Sequence, residues 1–214
     1  MELESVARSS RGGVTRGAHR RLTIDLASLD EIRTAIGATA TLMIDANQAW
    51  SMDEAREALR AYAEFDLAFA EEPLRADRPL VEWLALAADS PMPLAAGENI
   101  ADTESFEQII ASRAVAYLQP DLAKWGGVSG CLAVALKAKA AGLVYCPHYL
   151  GGGVGLLSSA HVLAAQGGDG LLEIDVNPNR LREDLAGALT IVEDGHVTLS
   201  DAPGIGIDPI DLFA

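Results

Sequence analysis

The chain has 214 residues, room for one large domain or two small ones, and half of them are hydrophobic, which excludes disordered and fibrous classes. Its 16 Lys+Arg against 31 Asp+Glu give a net charge of −15, a surface that repels polyanions and argues against a nucleic-acid partner. No apolar run approaches the roughly 20 residues of a membrane span, the first residues carry no secretory apolar segment, and Cys131 and Cys146 lack CxxC spacing, so no membrane role and a reduced, cytoplasmic setting are expected.

Residues 1–21 hold Arg8, Arg11, Arg16, Arg20 and Arg21 among Gly and Ser, and are expected to form a basic, disordered N-terminal arm ahead of a domain at 22–214. LTI (22–24) is a possible short strand. LASLDEIRTAIG then has helical periodicity, with Leu29, Ile32 and Ile36 on one face and Gly37 as the stop. TLMID (41–45) is a short apolar run ending in an acid. SMDEAREALRAYAEF is a helix with Ser51 as N-cap and Glu54 placed for a capping box. DLAFAEEP (66–73) repeats the apolar run with terminal acids, PLVEWLALAAD is a helix, and PLAAGEN (93–99) repeats the run again. DTESFEQIIAS and SGCLAVALKAKAAG read as helices on either side of AVAYLQPD (114–121). LVYCPH (143–148) leads into the helix GLLSSAHVLAAQ, and GLLEID (170–175) is expected to be the last strand. The DG in ALTIVEDGHVTLSD predicts a hairpin.

Strands alternating with helices imply a parallel sheet with helical crossovers, and strands without polar alternation imply burial on both faces. One polar residue ends each unit: Asp45, Glu71, Glu98, Asp121, His148 and Glu173, at intervals of 26, 27, 23, 27 and 25. Each interval is one strand–loop–helix–loop unit. In a parallel barrel such strand ends form one ring, whereas the outer strands of an open sheet lie too far apart to share a ligand. The expected fold is therefore α/β, an incomplete TIM-type (β/α) barrel. Three adjacent carboxylates repel one another unless a cation sits among them, and an oxygen-only set favours Mg²⁺ before Mn²⁺ or Ca²⁺ and disfavours zinc.

The motifs IDANQAW (44–50), FAEEP (69–73), AGEN (96–99), QPDLAKWGGVSG (119–130), CPH (146–148) and LLEID (171–175) resemble the C-terminal barrel domain of the enolase superfamily, mandelate racemase/muconate lactonizing enzyme branch. The resemblance implies Asp45, Glu71 and Glu98 as Mg²⁺ ligands, with Glu71 preferred over Glu72. It implies Asn47 and Asn99 as neighbours of metal or substrate, Asp121 and His148 as an Asp–His dyad, Glu173 as the acid near the substrate carboxylate, and Lys124 in support. The implied chemistry is Mg²⁺-dependent removal of the proton alpha to a carboxylate, the superfamily pairing a Lys or His base with one or two Mg²⁺ ions. The implied substrate is a hydroxy acid or sugar acid. A dehydratase is preferred over a racemase or epimerase, since a racemase needs a second base on the opposite face. Homologous barrels assemble, so a homo-oligomer is expected.

The sequence departs from the family in two ways. The lysine of a KxK strand one unit before Asp45 is missing; the count lands near Arg16, and guanidinium is a poor base. There is also no room for the N-terminal capping domain and the first barrel strands. A truncated or mis-started frame, or a fragment needing a partner chain, is the expectation drawn from that. It keeps open a catalytically dead barrel remnant serving as a binding or oligomerisation module. A nucleotide-binding domain ranks last, because DANQAWS follows the first strand where a glycine-rich loop belongs, and GGGVG (151–155) lacks GxGxxG spacing. His161, Trp50, Trp83, Trp125 and both cysteines read as packing residues.

Overall fold

The structure, a computed structural model, describes residues 18–167, 170–187, 192–193 and 195–207. Its strands are short because each apolar run is cut off by a polar or proline-bearing segment. Each strand is followed by a helix that returns the chain to the start of the next. The chain divides into two compact units, with the boundary inside the third strand between Ala95 and Ala96.

The first unit ends at Ala95 and holds α1 (Ala18–Ile36), β1 (Leu42–Asp45), α2 (Met52–Tyr62), β2 (Leu67–Glu71), α3 (Leu80–Asp89) and most of β3 (Leu94–Ala96). β1, β2 and β3 run parallel, with Asp45 opposite Glu71 and Glu71 opposite Ala95. Leu42, Met43, Leu67, Phe69 and Leu94 are buried from the strands, and Leu59, Tyr62, Trp83 and Leu86 from α2 and α3. The expected capping box forms: the Ser51 hydroxyl accepts the Glu54 N–H, and the Glu54 carboxylate accepts the Ser51 N–H at 2.8 Å. The Arg33 guanidinium closes the other end of this unit by donating to the carbonyls of Ala40 at 2.6 Å and Phe65 at 2.8 Å. Two expectations are corrected. The segment 22–24 is helical rather than a strand, and α1 begins at Ala18, taking in residues assigned to the arm. Residues 1–17 of that arm lie outside the described residues.

The second unit, from Ala96 onward, holds α4 (Thr103–Ser112), β4 (Tyr117–Leu118), α5 (Gly127–Ala140), β5 (Val144–Tyr145), α6 (Gly153–Gln166) and α7 (Arg180–Ala186). β4 and β5 are parallel, with Leu118 opposite Tyr145. The Gln119 N–H donates to the Ala96 carbonyl at 2.9 Å, and a Cβ at Gly97 would lie 2.7 Å from the Gln119 backbone. Gly97, at φ +151°, is thus a position that admits only glycine. The core of this unit is Cys131 and Ala135 of α5, Tyr145 of β5, and Leu156, Leu157, Ala160 and Leu163 of α6. Small residues on α5 and α6 let the two helices approach closely.

Segment 170–175 is not a strand. Its Leu171 N–H donates to Cys146 Sγ at 3.3 Å instead of to a ladder carbonyl, and Gly170 lies directly against the Tyr145 carbonyl. A thiol accepting the hydrogen bond leaves no register to propagate. The expected hairpin reduces, among the described residues, to one antiparallel bridge between Glu193 and His196, with both backbone bonds at 2.9 Å. Asp194 of that turn lies outside the described residues. The helix α7 is not anticipated by the sequence reading. No helix among the described residues is long and apolar enough to cross a membrane.

Candidate active site

In the second unit the chain leaves β4 through Gln119 and Pro120, which cannot extend the ladder. Asp121 then starts a turn: its carboxylate accepts the Ala123 N–H at 2.8 Å, and its carbonyl accepts the N–H groups of Lys124 and Trp125 at 3.1 and 3.0 Å. The turn carries Lys124 back toward the strand end. The segment after β5 runs beside it, with the His148 N–H on the Pro120 carbonyl at 3.3 Å.

Four expected residues meet there. The imidazole of His148 lies between two carboxylates, with Nδ1 at 2.9 Å from Asp121 Oδ2 and Nε2 at 2.5 Å from Glu98 Oε2. Glu173 Oε2 lies 3.9 Å from the same Nε2. Relative exposures of 4% for His148, 6% for Asp121 and 8% for Glu98 keep these charges out of bulk water, where each is worth more. Two more expected residues join them on Glu98: Lys124 Nζ at 3.0 Å from Oε2, and Asn99 Nδ2 at 3.1 Å from Oε1.

The electrostatics follow from that packing. Burial alone would lower the His148 imidazole, but its bonds to Asp121 and Glu98 and the charge of Glu173 outweigh it and raise it to about 9. Burial alone would raise the Glu98 carboxyl, and its bonds to His148 and Lys124 instead hold it down, to about 2. Asp121 is likewise lowered, its bonds to His148 and Ala123 overcoming desolvation. The cluster is a protonated imidazole clamped by ionised acids. Such a group can give a proton, and it becomes a base once one carboxylate lets go.

Glu173 is held from behind, its Oε2 accepting the Tyr149 N–H at 3.2 Å. Two residues on, Asp175 accepts from the buried Arg182 of α7 at 3.2 Å and from the Asn177 side chain at 2.7 Å, while Arg182 also donates to the Asn177 carbonyl. Neither Tyr149 nor Arg182 was singled out from the sequence. Tyr149 had a signal in its place directly after CPH. Arg182 had none, because its acid lies seven residues back across a loop.

Asp45, Asn47 and Glu71 belong to the first unit. The register sets Asp45 and Glu71 side by side at the ends of β1 and β2. Asn47, in the left-handed region at φ +48°, turns back so that its N–H and Nδ2 donate to the two Asp45 oxygens at 2.8 and 2.6 Å. Glu71 and Glu72 are both buried. Among the described residues no three His, Cys, Asp or Glu side chains are gathered so as to hold a metal ion. Within the first unit, the Asp45 and Glu71 carboxylates in register offer oxygen donors of the kind a hard divalent cation takes.

Of the residues read as packing, Trp83, Cys131 and Cys146 are buried; Trp125 packs tilted against Phe106 at 4.7 Å between ring centres, and Trp50 lies 6.1 Å from Tyr62. Burial pushes the Cys131 thiol up to about 12, far from a nucleophile's range.

The comparisons with known proteins bear on the family and the fold. The family profile described as enolase C-terminal domain-like matches residues 9–211. Arabinonate dehydratase of Saccharolobus solfataricus is 31% identical over 182 residues, covering 85% of this chain and 48% of that protein. A mandelate racemase/muconate lactonizing enzyme of Bordetella bronchiseptica superposes with a TM-score of 0.85 at 50% identity, over 88% of this chain and 53% of that one. L-talarate dehydratase of Polaromonas, solved with Mg and L-glucarate, gives a TM-score of 0.72 at 28% identity, over 87% of this chain and 49% of that one. The chain thus spans about half the length of these relatives.

Proposed function

This chain belongs to the enolase C-terminal domain-like family, of whose barrel domain it covers a part, and from that membership we propose that it serves the removal of the proton alpha to a carboxylate, as an acid-sugar dehydratase. The observation that carries the reading is the buried imidazole of His148, held at Nδ1 by Asp121 and at Nε2 beside Glu98 and Glu173.

The roles follow from the contacts. Asp121 fixes the imidazole's orientation and stabilises its protonated form. His148 takes the alpha proton in its neutral form. Once protonated, it can return a proton to the departing β-hydroxyl, so one residue serves both halves of a dehydration. Being raised, it is a willing acid acceptor but a scarce neutral base near pH 7, so Glu98 must release Nε2 before abstraction. Asp45, Glu71 and Glu98 would hold a divalent cation, Mg²⁺ by preference and Mn²⁺ as a substitute, whose positive charge would lower the cost of charge developing on the substrate carboxylate. Asn47, Asn99 and Lys124 would position metal-binding carboxylates and substrate oxygens; Lys124 and Asn99 already contact Glu98. Glu173 would stand beside the substrate carboxylate. The substrate is a small sugar acid or hydroxy acid, and assembly into a homo-oligomer belongs to the same proposal. Racemisation or epimerisation of a hydroxy acid ranks second, for want of an assigned second base.

The test is a screen of sugar acids with Mg²⁺, read as keto-acid formation and, in deuterated water, as label at the alpha carbon. Dehydration yields the keto acid, and the His148→Ala variant is expected to lose it by at least about a hundredfold. Alpha labelling with no water lost would move the reading to a racemase. A chain that binds Mg²⁺ but neither labels nor dehydrates any acid would overturn the enzymatic reading in favour of a binding or oligomerisation module.

A further inference from the structure

Glu173 stands 3.9 Å from the His148 imidazole with no strand to hold it there. Segment 170–175 makes no ladder, so single bonds must fix its place. Before Glu173, the Leu171 N–H on Cys146 Sγ ties the segment to the chain just past β5. After Glu173, Asp175 ties it to α7.

Asp175 is bonded on both oxygens. Its Oδ1 accepts the Asn177 N–H at 3.0 Å and Asn177 Nδ2 at 2.7 Å, and its Oδ2 accepts Arg182 Nη1 at 3.2 Å. The other arm of the guanidinium, Nη2, donates to the Asn177 carbonyl. One side chain thus grips the loop at a carboxylate and at a carbonyl two residues on, which suits a planar fork of fixed donors and not a single ammonium. Arg182 is itself held. Its N–H donates to Asn179 Oδ1 at 3.2 Å, and the Asn179 N–H donates to Glu183 Oε1 at 3.1 Å. Its helix lies against α6 so closely that a Cβ at Gly153 would run into Leu185 and Ala186.

The side chains of Arg182 and Asp175 are only 6% and 12% exposed. An ion pair so far from water returns little net stability, because desolvation offsets the attraction, and apolar residues would close a loop as well. What the pair supplies is a fixed distance and direction. We infer that Arg182 is a positioning residue: its fork on Asp175 and Asn177 anchors the loop beyond Glu173 and so fixes where the Glu173 carboxylate stands relative to the His148 imidazole. Its bearing on the reaction rests on the proposed roles of His148 and Glu173. The anchor itself does not, and its test uses neither substrate nor metal.

The test is NMR on the full chain in EDTA, with Arg182→Met and the double variant Arg182→Met/Asp175→Asn. The single variant leaves Asp175 unpaired and should melt lower, whereas the double variant leaves no lone charge and should melt near the parent. Glu173, His148 and Tyr149 are unaltered in both. The parent is expected to show a nuclear Overhauser contact between the Glu173 γ-protons and the His148 ring protons, a report of distance and not of charge. Both variants should lose it. The Tyr149 N–H, which donates to Glu173 Oε2, should exchange about fivefold faster or more relative to the amides of α6, as loss of one ordinary hydrogen bond implies. A double variant that keeps the contact and the protection would mean that Arg182 only holds α7 in place, and would overturn the inference. Glu183→Ala weakens the start of α7 without touching Asp175 and should leave both signals unmoved; equal losses there would overturn it too. In the unaltered chain, contacts from the Arg182 guanidinium protons to the Asp175 β-protons are expected. Their absence would overturn the anchor whether or not any variant folds.

Discussion

His148 is the residue in which sequence and physics meet most closely. The interval arithmetic places an imidazole one unit after Asp121, and the structure joins the two at 2.9 Å. The distance to Glu98 could not be read from sequence, because it depends on two loops bending toward each other. The cluster has a measurable consequence for stability. A folded-state value of about 9 lies above the ordinary histidine value of about 6.5, so the folded chain holds this proton more tightly than the unfolded chain. The resulting stability is fully present below about pH 6.5 and is lost as pH rises through about 9. In EDTA the melting temperature should therefore fall across that window, and His148→Gln should flatten the fall while lowering stability at pH 6. On the acid side the signs reverse. Glu98 and Asp121 are held low, so their contribution is present above the ordinary carboxylate range and disappears as the pH drops below it. A melting temperature that rises between pH 6.5 and 9 would contradict the clamped imidazole.

Among the elements, α2 is the clearest case of a local rule deciding a local structure. Ser51 and Glu54 satisfy each other's N–H groups, and the helix begins where that pair demands. Replacing Ser51 by Ala is expected to cost about 1 kcal/mol, seen as a lower urea midpoint with an unchanged slope. Ser51→Asp should keep most of that stability, since a carboxylate also accepts the N3 amide. An unchanged midpoint in the alanine variant would mean that packing of Leu59 and Tyr62 alone sets this helix. The strands among the described residues were legible for a similar reason, each being a short apolar run closed by a polar or proline-bearing stop. Segment 170–175 was not, because GLL has the right composition while its amide is spent on a cysteine sulfur. Helix α7 was hidden by its shortness and polarity; seven residues give too few turns for periodicity to show. What holds it is the local Asn179 cap together with the buried Arg182, whose bonds to Asp175 and Asn177 across the preceding loop the sequence does not show.

For the whole molecule, the recurring strand-end acids were the feature that pointed furthest, since intervals of one βα unit survive any uncertainty about element boundaries. They carry an electrostatic cost. At a net charge of −15 the chain repels itself, and carboxylates crowded at strand ends add to this locally. A divalent cation relieves that repulsion in two ways that can be told apart. General screening acts on the whole surface, follows ionic strength and is indifferent to any one acid. Site binding saturates, and stabilises by RT ln(1 + [L]/Kd), roughly 2.7 kcal/mol at a hundredfold excess over Kd. Thermal melts at fixed ionic strength, with EDTA and then with rising Mg²⁺, are expected to show a saturable increase in melting temperature. Glu98→Gln should abolish the saturable part and leave the screening part. The lost bonds from Lys124 and His148 will lower that variant's starting stability, so the comparison is the Mg²⁺-induced increment within each protein. An increment equal in both, or one matched by NaCl at the same ionic strength, would mean that these carboxylates do not act together on a cation. The proposed ligand set of Asp45, Glu71 and Glu98 would then be withdrawn.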